Sequence, residues 1–424
     1  MGRLIYSTTR GVLFIALISL MIISASLGSF AEEPVSLKPL LDEARANNPE
    51  VKALEERVMA REARARAEGV LDDPTLKIEM EDLEKDRPLN IAPGNAMLTR
   101  YTVSQMFPFP GKLSLKERIA FKEAMATKAE LRAKELEVSA TVKEAYYDYA
   151  LVAESMNIAR EIKDLLSYMA RVSEAKYATG QVSQQDTIKV QVETTMLTNE
   201  IISLEAGKGV AAARLKSILG RPQEAALGEP GALPKEKITF KTEDLINTAV
   251  RQNPEIKAAE SEAQASELNA DLAKKNYYPD FMVGVAPIQR DGRFDSFDVM
   301  FQINIPVWRG KYDSLSREAS SNARSARSRL VSEKNVKSFE VKGAAIQVEA
   351  AERTKALYET SLLPQVELSF ESALKNYQAG KIDFLTLLDT ERELKRTRLE
   401  YIRTLSEYRK RIASLERIVG EDFQ

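Results

Sequence analysis

The sequence predicts a mainly α-helical chain with a small β-sheet portion, built from two copies of one structural plan. Two segments, residues 113–178 and 312–379, contain almost no glycine or proline, which favours very long helices. Two pairs of short segments alternate apolar and polar residues, as half-buried strands do. Finally, the turn YATGQVSQQD at residues 177–186 is echoed two hundred residues later by YQAGKIDFLT at residues 377–386.

Composition excludes several classes of function. The 424 residues are 29% charged and 44% apolar, which is typical of a folded chain. The formal net charge of −2 gives no electrostatic basis for nucleic acid binding. Cysteine and histidine are both absent, which excludes disulfides, thiolate or imidazole metal sites and the usual Cys-His or Ser-His catalysis. We therefore expect none of these sites, no cofactor and no bound metal.

The N-terminus has the features of a secretory signal peptide. The first ten residues carry two arginines and no acid, and residues 11–23 form a 13-residue apolar run. That run is too short to cross a bilayer comfortably. Small residues at Ser29 and Ala31 follow, so we expect cleavage near Ala31 and assign residues 1–31 to the signal. The alternative is an uncleaved membrane anchor.

The remainder is predicted to be a tandem duplication. LLDEARANNPEVKALE at residues 40–55 matches LINTAVRQNPEIKAAE at 245–260, and QMFPFPGK at 105–112 matches QINIPVWRGK at 302–311. Both offsets are close to that of the two turns, which makes chance similarity improbable. We expect a first repeat over residues 32–225, a linker or equatorial segment over 226–240, and a second repeat over 241–424.

Each repeat is predicted to start with a helix and continue with two strands. Residues 36–70 are rich in Ala, Glu and Arg, which favour helices. TLKIEME at residues 75–81 then places apolar residues on one face and charged residues on the other: Leu76, Ile78 and Met80 against Lys77, Glu79 and Glu81. FDVMFQINI at residues 297–305 alternates in the same way: Phe297, Val299, Phe301, Ile303 and Ile305 against Asp298, Met300, Gln302 and Asn304.

Each strand pair is followed by a long helical hairpin. The outgoing helices are expected from about Leu113 to Ala178 and from about Tyr312 to Ala379, interrupted only at Pro364. At about 1.5 Å per residue each is roughly 100 Å long. Gly180 and Gly380 then reverse the chain, because glycine accepts the left-handed conformation that ends a helix. Return helices are expected over residues 184–219 and 382–419, so the strands lie at one end of a rod and the turns at the other.

Four strands are too few to close a barrel, and an open edge exposes unpaired amides. In lipid each unpaired amide costs several kcal/mol, so several chains must share one barrel if the strands enter a membrane. Three chains give twelve strands, wide enough for an aqueous lumen. The alternative is a soluble four-stranded sheet packed on the helices, in which alternation is equally natural.

The ordered set of motifs resembles the TolC-like outer membrane efflux proteins, and in particular their heavy-metal efflux, CzcC-like branch. The resemblance extends over nearly the whole chain after the signal. It rests on these segments: Asn-Pro-Glu at 48–50 and 253–255, QMFPFPGK at 105–112, IPVWRGK at 305–311, YATGQVSQQD at 177–186 and YQAGKIDFLTLLDTE at 377–391.

The resemblance implies a homotrimer with a shared twelve-stranded β-barrel in the outer membrane of a Gram-negative bacterium. A long α-helical barrel then crosses the periplasm. The implied function is a passive exit duct for substrates, with divalent metal cations suggested as cargo. Its implied partners are outer membrane lipid, a periplasmic adaptor and an inner-membrane pump of the resistance-nodulation-division type.

The resemblance also implies roles for residues near the two turns. The turns themselves would contact the adaptor: Gly180, Gln181 and Val182 with Gly380, Lys381 and Ile382. Asp389 matches an acidic position that narrows the periplasmic mouth in some relatives, whereas the second such position is Thr386 here. Asp186 and Tyr377 match positions that hold the closed state, although the arginine partner of some relatives is replaced by Ile382, next to Lys381.

Two other functions remain open at this stage. A periplasmic coiled-coil adaptor or tether without a pore would need no apolar barrel face, and the duplicated strand pairs argue against it. A secreted hydrolase using Ser, Lys and carboxylates would need a compact pocket, for which long uninterrupted helices leave little room.

Overall fold

The structure is a computed structural model that describes residues 35–83 and 96–423. The expected signal peptide lies outside the described residues. The elements, in chain order, are α1 (Leu37–Asn47), α2 (Pro49–Glu68), β1 (Thr75–Glu81), β2 (Leu98–Phe107), α3 (Lys112–Ala178), α4 (Gln184–Leu219), α5 (Thr242–Gln252), α6 (Pro254–Lys275), β3 (Phe281–Arg290), β4 (Arg293–Ile303), α7 (Arg309–Leu357), α8 (Leu363–Gln378) and α9 (Phe384–Val419). The same order of helices and strands therefore occurs twice.

The first helix of each repeat is broken in two, which differs from the single helix predicted over residues 36–70. The Asn48 side chain accepts hydrogen bonds from the amides of Glu50 and Val51, at 2.9 and 3.2 Å. Asn253 caps α6 in the same way, at 2.8 and 3.3 Å. The proline that follows each asparagine has no amide to donate, so it is tolerated only at the start of a helix. The Asn-Pro pair thus ends one helix and starts the next.

The outgoing helices have the predicted length. α3 runs for 67 residues without interruption. Its counterpart consists of α7 and α8, joined by one π-helical turn over Tyr358–Leu362. Pro364 follows that turn, and a proline inside a helix removes one backbone hydrogen bond and crowds the preceding turn. The wider turn accommodates the proline without ending the helix.

None of the helices in residues 35–83 and 96–423 combines the length and the apolar character needed to cross a bilayer.

The four strands form one antiparallel sheet in the order β1-β2-β3-β4. The β2–β3 pairing joins the two repeats, and its register places Val103 opposite Val285. The β3–β4 hairpin turns at Asp291 and Gly292, which both have positive φ, as a tight two-residue hairpin turn of type I′ requires. Because β1 and β4 each pair with only one strand in the part of the chain that the structure describes, the sheet is open there at both edges.

The rod has two apolar cores. The central cluster, near the middle of the rod, gathers residues from both repeats, including Val142, Tyr149, Leu215, Leu405 and Tyr408. The tip cluster, near the turns, includes Ile162, Leu166, Met169, Val190, Leu197, Phe370, Phe384, Leu387 and Leu394. The last helix, α9, buries an apolar stripe at Ile402, Leu405, Tyr408, Ile412, Leu415 and Val419. This stripe recurs at steps of three and four residues, which is the spacing of a coiled-coil seam.

Candidate functional site

The two hairpin turns have the same backbone geometry. Gly180 and Gly380 have φ values of +72° and +70°. The amide of Gln181 donates to the carbonyl of Lys176, and the amide of Lys381 donates to the carbonyl of Asn376, both at 2.9 Å. These bonds close the end of a helix around a left-handed residue, a conformation that only glycine adopts without strain.

The two turns lie side by side at one end of the rod. The ammonium of Lys176 donates to the carbonyl of Tyr377 at 2.6 Å and lies 4.9 Å from the centre of its ring. Nearby, the Gln378 side chain donates to the hydroxyl of Tyr168 at 2.8 Å. Residues from the two repeats therefore meet directly at the tips.

The residues that the resemblance assigns to adaptor contact are largely accessible. Gly180, Gln181, Gly380 and Lys381 are exposed. Val182 and Ile382 are half-buried, and Ile382 packs against the tip cluster. A partner that approaches the end of the rod would meet the backbone of both turns together with the charge of Lys381.

Tyr177 and Tyr377, equivalent in sequence, have different environments. Tyr177 is 48% exposed, whereas Tyr377 is 1% exposed and its ring lies 5.6 Å from that of Phe384. Burial raises the pKa of the Tyr377 hydroxyl, and the negative charge of Asp186 adds to that effect. The hydroxyl of Ser173 lies near it, although neither hydroxyl forms a hydrogen bond of normal geometry. Asp186 and Tyr377 thus lie close enough to interact electrostatically.

Asp389 and Thr386 lie on the first turns of α9. Asp389 is exposed, and its only ion pair in the described residues is a long one of 3.8 Å to Arg392. Thr386 is also exposed, and its amide donates to the Asp383 carboxylate at 2.8 Å. The hydrogen bonds from Thr386 lower the pKa of Asp383, which caps the start of the helix. Asp389 therefore presents a largely uncompensated negative charge.

Two buried charged groups were missed by sequence reasoning. Glu391 lies within the seam of α9, between Leu387 and Leu394, and is 1% exposed. Lys143 is buried on α3, where it donates to Glu416 at 2.6 Å and to Asp422 at 2.7 Å. The sequence pattern that could have identified them is a charged residue three or four residues away from apolar residues of the same helix seam.

The outer face of the sheet is the second functional feature. The strand register aligns four apolar residues in one row across all four strands: Leu76, Val103, Val285 and Val299. Each is at least 48% exposed. On the opposite face Arg100 lies 2.8 Å from Glu81 and 3.3 Å from Asp298. The exposed side of the sheet is therefore apolar, whereas the other side carries these charged residues together with the buried Ala286 and Ile288.

Seven large apolar residues on and just after β4 are each at least 62% exposed: Phe294, Phe297, Val299, Phe301, Ile305, Val307 and Trp308. Exposed apolar patches of this extent mark a surface that is covered in the assembled protein. Trp308 is 78% exposed, so it does not close the junction between the sheet and the helices.

Among the described residues, no three acidic, His or Cys side chains are grouped so as to hold a metal ion.

A model of the family described as "Outer membrane efflux protein" matches residues 40–221 and 245–421. Among curated proteins, the cobalt-zinc-cadmium resistance protein CzcC of Cupriavidus metallidurans is 22% identical over 92% of this chain and 91% of its own. Nodulation protein T of Rhizobium leguminosarum is 22% identical over 68% of this chain and 62% of its own.

Solved structures of outer membrane channels share the fold. The channel OprN aligns with a TM-score of 0.74 and 17% identity, over 91% of this chain and 90% of that one. CusC, described as forming a transmembrane channel, gives a TM-score of 0.74 and 18% identity, over 91% and 92%. VceC of Vibrio cholerae gives 0.73 and 17%, over 92% and 97%. The predicted fold class, long duplicated hairpins with a four-stranded contribution to a barrel, is confirmed.

Proposed function

The chain belongs to the outer membrane efflux protein family, and on that premise we propose that it is the channel subunit of a tripartite efflux system. As a member of a channel family it is not an enzyme, and its work is to let substrates pass. In this proposal the energy comes from an inner-membrane pump of the resistance-nodulation-division type. A periplasmic adaptor connects that pump to the channel. The tether without a pore, considered above, does not fit this family.

The observation that carries the proposal is the open, two-faced sheet. Among the described residues each of its two edge strands pairs with one neighbour only, and its exposed face carries the apolar row of Leu76, Val103, Val285 and Val299. An apolar face suits lipid, whereas unpaired edge amides cannot remain in lipid. Three chains joined edge to edge give twelve strands and leave no edge. The polar face, with Arg100 and Asp298, then lines water.

In this proposal the protein lies in the outer membrane, with the helices extending into the periplasm. The test is the size and the conductance of the protein purified in mild detergent. We expect an unheated sample to migrate as a trimer and a heated one as a single chain, and we expect the trimer to form ion-conducting pores in a planar lipid bilayer. A monomer that stays in solution without detergent and forms no pore contradicts the proposal.

At the other end, the adaptor would contact the two turns, at Gly180, Gln181 and Val182 and at Gly380, Lys381 and Ile382. This contact is supported by the position of the two turns, which lie next to one another and are accessible at the end of the rod. Cross-linking from Gln181 and Lys381, each replaced singly by a photoreactive residue, tests the contact in cells that also express a periplasmic adaptor. A matched substitution at Ser321, exposed on α7, supplies the control. Equal cross-linking from all three positions contradicts tip docking.

Near the turns, Asp389 would narrow the periplasmic mouth of the channel, and Asp186 and Tyr377 would hold that mouth closed. Because Thr386 is not acidic, each chain would contribute one acid to the ring of side chains around the mouth. In a trimer three Asp389 carboxylates would approach one another, and multivalent cations would bind them. We expect Asp389→Asn to raise the concentration of a trivalent cation that halves the conductance, by about tenfold.

The matched control is Glu393→Gln, on the same helix, whose carboxylate is already paired with Arg396 at 2.7 Å. It should leave the block unchanged, because its charge is already compensated. Block that is insensitive to Asp389→Asn would remove Asp389 from the mouth while leaving the channel itself in place.

The proposed cargo is divalent metal cations. The support is similarity to CzcC, whose name specifies cobalt, zinc and cadmium resistance, over nearly the full length of both chains. A duct need not bind what it conducts, so a bound-metal cluster is not required. Deleting the gene should lower the zinc, cobalt and cadmium concentrations that stop growth, and the wild-type gene should restore them. If the deletion leaves metal tolerance unchanged but lowers tolerance to organic compounds, the proposed metal cargo is wrong and the proposed channel function stands.

A further inference from the structure

The first turns of α9 carry a carboxylic acid that has no partner. Glu391 is 1% exposed within this single chain, so its burial does not depend on assembly. Neither of its carboxyl oxygens has a hydrogen-bond partner among the described residues. It lies four residues after Leu387 and three before Leu394, which places it on the apolar seam that faces the tip cluster.

The cations nearest to Glu391 are held by other acids. Arg392 donates through two nitrogens to Glu193 of α4, at 2.6 and 3.2 Å. Lys395 donates to Glu200 of α4 at 3.1 Å. The charges of Arg392 and Lys395 are thus both bound by α4, which adds two carboxylates of its own near Glu391.

The other helices packed against α9 do not supply a counter-charge either. Glu161 of α3 and Glu367 of α8 are the charged groups that reach α9 nearby, and both bind Arg398, at 3.3 and 2.9 Å. On the side of the turns, Lys176 of α3 is bound to the carbonyl of Tyr377. Ionised Glu391 is therefore a buried carboxylate with no hydrogen bond and no ion pair among the described residues, which is costly in an apolar interior.

We propose that Glu391 is a proton switch: its protonated form keeps the first turns of α9 packed in the tip cluster, and loss of the proton loosens them. An unpaired buried carboxylate can regain water only if the helix moves outward. The switch stands on the packing of one chain and does not need the proposed function. Its effect on the duct mouth, a looser mouth at higher pH, does rest on that function.

The pH range follows from the direction of the shift. Burial raises the pKa of Glu391 from its ordinary 4.5 to about 7, with Lys395 opposing the rise and Glu193 adding to it. The packed state therefore holds its proton more tightly than a loosened state does. The packed state is favoured at low pH, and that advantage is lost as the pH rises from about 4.5 to about 7. The chain has no histidine, the usual titrating side chain in this range.

Amide hydrogen exchange of the detergent-solubilised full chain tests the switch. The exchange rates of the amides in the first four turns of α9, divided by the intrinsic rates of unprotected amides at the same pH, report the fraction of molecules in which these turns are open. We expect that fraction to rise on the order of 50-fold between about pH 5 and pH 8. In Glu391→Gln, which keeps the shape of the protonated acid, the rise should fall below about threefold. Glu391→Met, which also cannot ionise, should behave in the same way. It serves as a second variant in case the glutamine side chain of Glu391→Gln disturbs the packing of the tip cluster.

The matched control is Glu393→Gln, two residues away on the exposed side of α9, which should keep the wild-type pH dependence. A wild-type open fraction that does not change with pH overturns the proposal, as does a pH dependence that survives in both Glu391 variants. Because the readout is local exchange, its failure leaves the proposed duct standing. Conversely, a protein that forms no pores but shows the exchange pattern keeps the switch and loses the duct.

Discussion

Replacing Lys143 with methionine is expected to lower the free energy of unfolding by about 3–5 kcal/mol, because it leaves buried carboxylates without their cation. The Lys143 and Glu416 side chains are only 5% and 8% exposed and lie 2.6 Å apart. Lys143 also bonds Asp422 at 2.7 Å, and Glu416 accepts the amide of Phe423 at 3.0 Å. One ammonium thus fastens α9 and the chain after it onto α3, joining the two repeats.

Thermal unfolding in detergent, followed by far-ultraviolet circular dichroism, measures the loss. The double variant Lys143→Met with Glu416→Leu should recover most of it, because an apolar pair replaces the uncompensated charge. The control is Arg403→Met, whose pair with Glu400 is 69% and 41% exposed. Surface pairs contribute less than about 1 kcal/mol, so the control should be nearly neutral. Similar losses in Lys143→Met and the control would contradict the central role of Lys143.

The same network sets a pH range. Burial by itself lowers the pKa of Lys143, but the charges of Glu416 and Asp422 outweigh it and raise that pKa above its ordinary 10.5. For Asp422, burial by itself raises the pKa, but the hydrogen bond from Lys143 and the charges of Lys143, Arg45 and Arg132 together outweigh it, so the pKa falls below the ordinary 3.8. The stability from Asp422 is present above its ordinary pKa and lost in stronger acid. That from Lys143 is present below its ordinary pKa and lost in stronger alkali.

Replacing Val299 with arginine is expected to abolish trimer assembly, whereas replacing Gln302 with arginine on the opposite face of the same strand is not. Val299 is 68% exposed on the apolar row of the sheet. An arginine facing lipid near the middle of a barrel wall costs about 2–4 kcal/mol, and three copies add up in a trimer. Gln302 is exposed on the polar face, where an arginine would stay in water.

Membrane fractionation followed by an unheated gel separates the two outcomes. We expect Gln302→Arg to keep the trimer band in the outer membrane fraction and Val299→Arg to lose it. If both variants assemble, the apolar row does not face lipid. If neither assembles, the two faces are not distinguished as proposed.

Much of the fold was predictable because local chemistry determines it. The scarcity of glycine and proline gave the extent of α3, and the glycines at 180 and 380 gave its reversal points. Alternation gave β1 over Thr75–Glu81 as predicted. The break at Asn48 was missed because Asn-Pro is compatible with either a loop or the junction of two helices. That choice depends on whether the asparagine side chain caps the next helix.

The sequence by itself determined the elements, their duplication and their order, since helix length, strand alternation and glycine turns depend on residues near one another in the chain. Only the tertiary structure decided which residues are buried and which charges are paired. Tyr377 is buried while Tyr177 is exposed, and Glu391 is left without a cation while Lys143 receives two carboxylates. Burial and pairing depend on segments about two hundred residues apart, and a repeated pattern cannot specify which of its two copies faces inward.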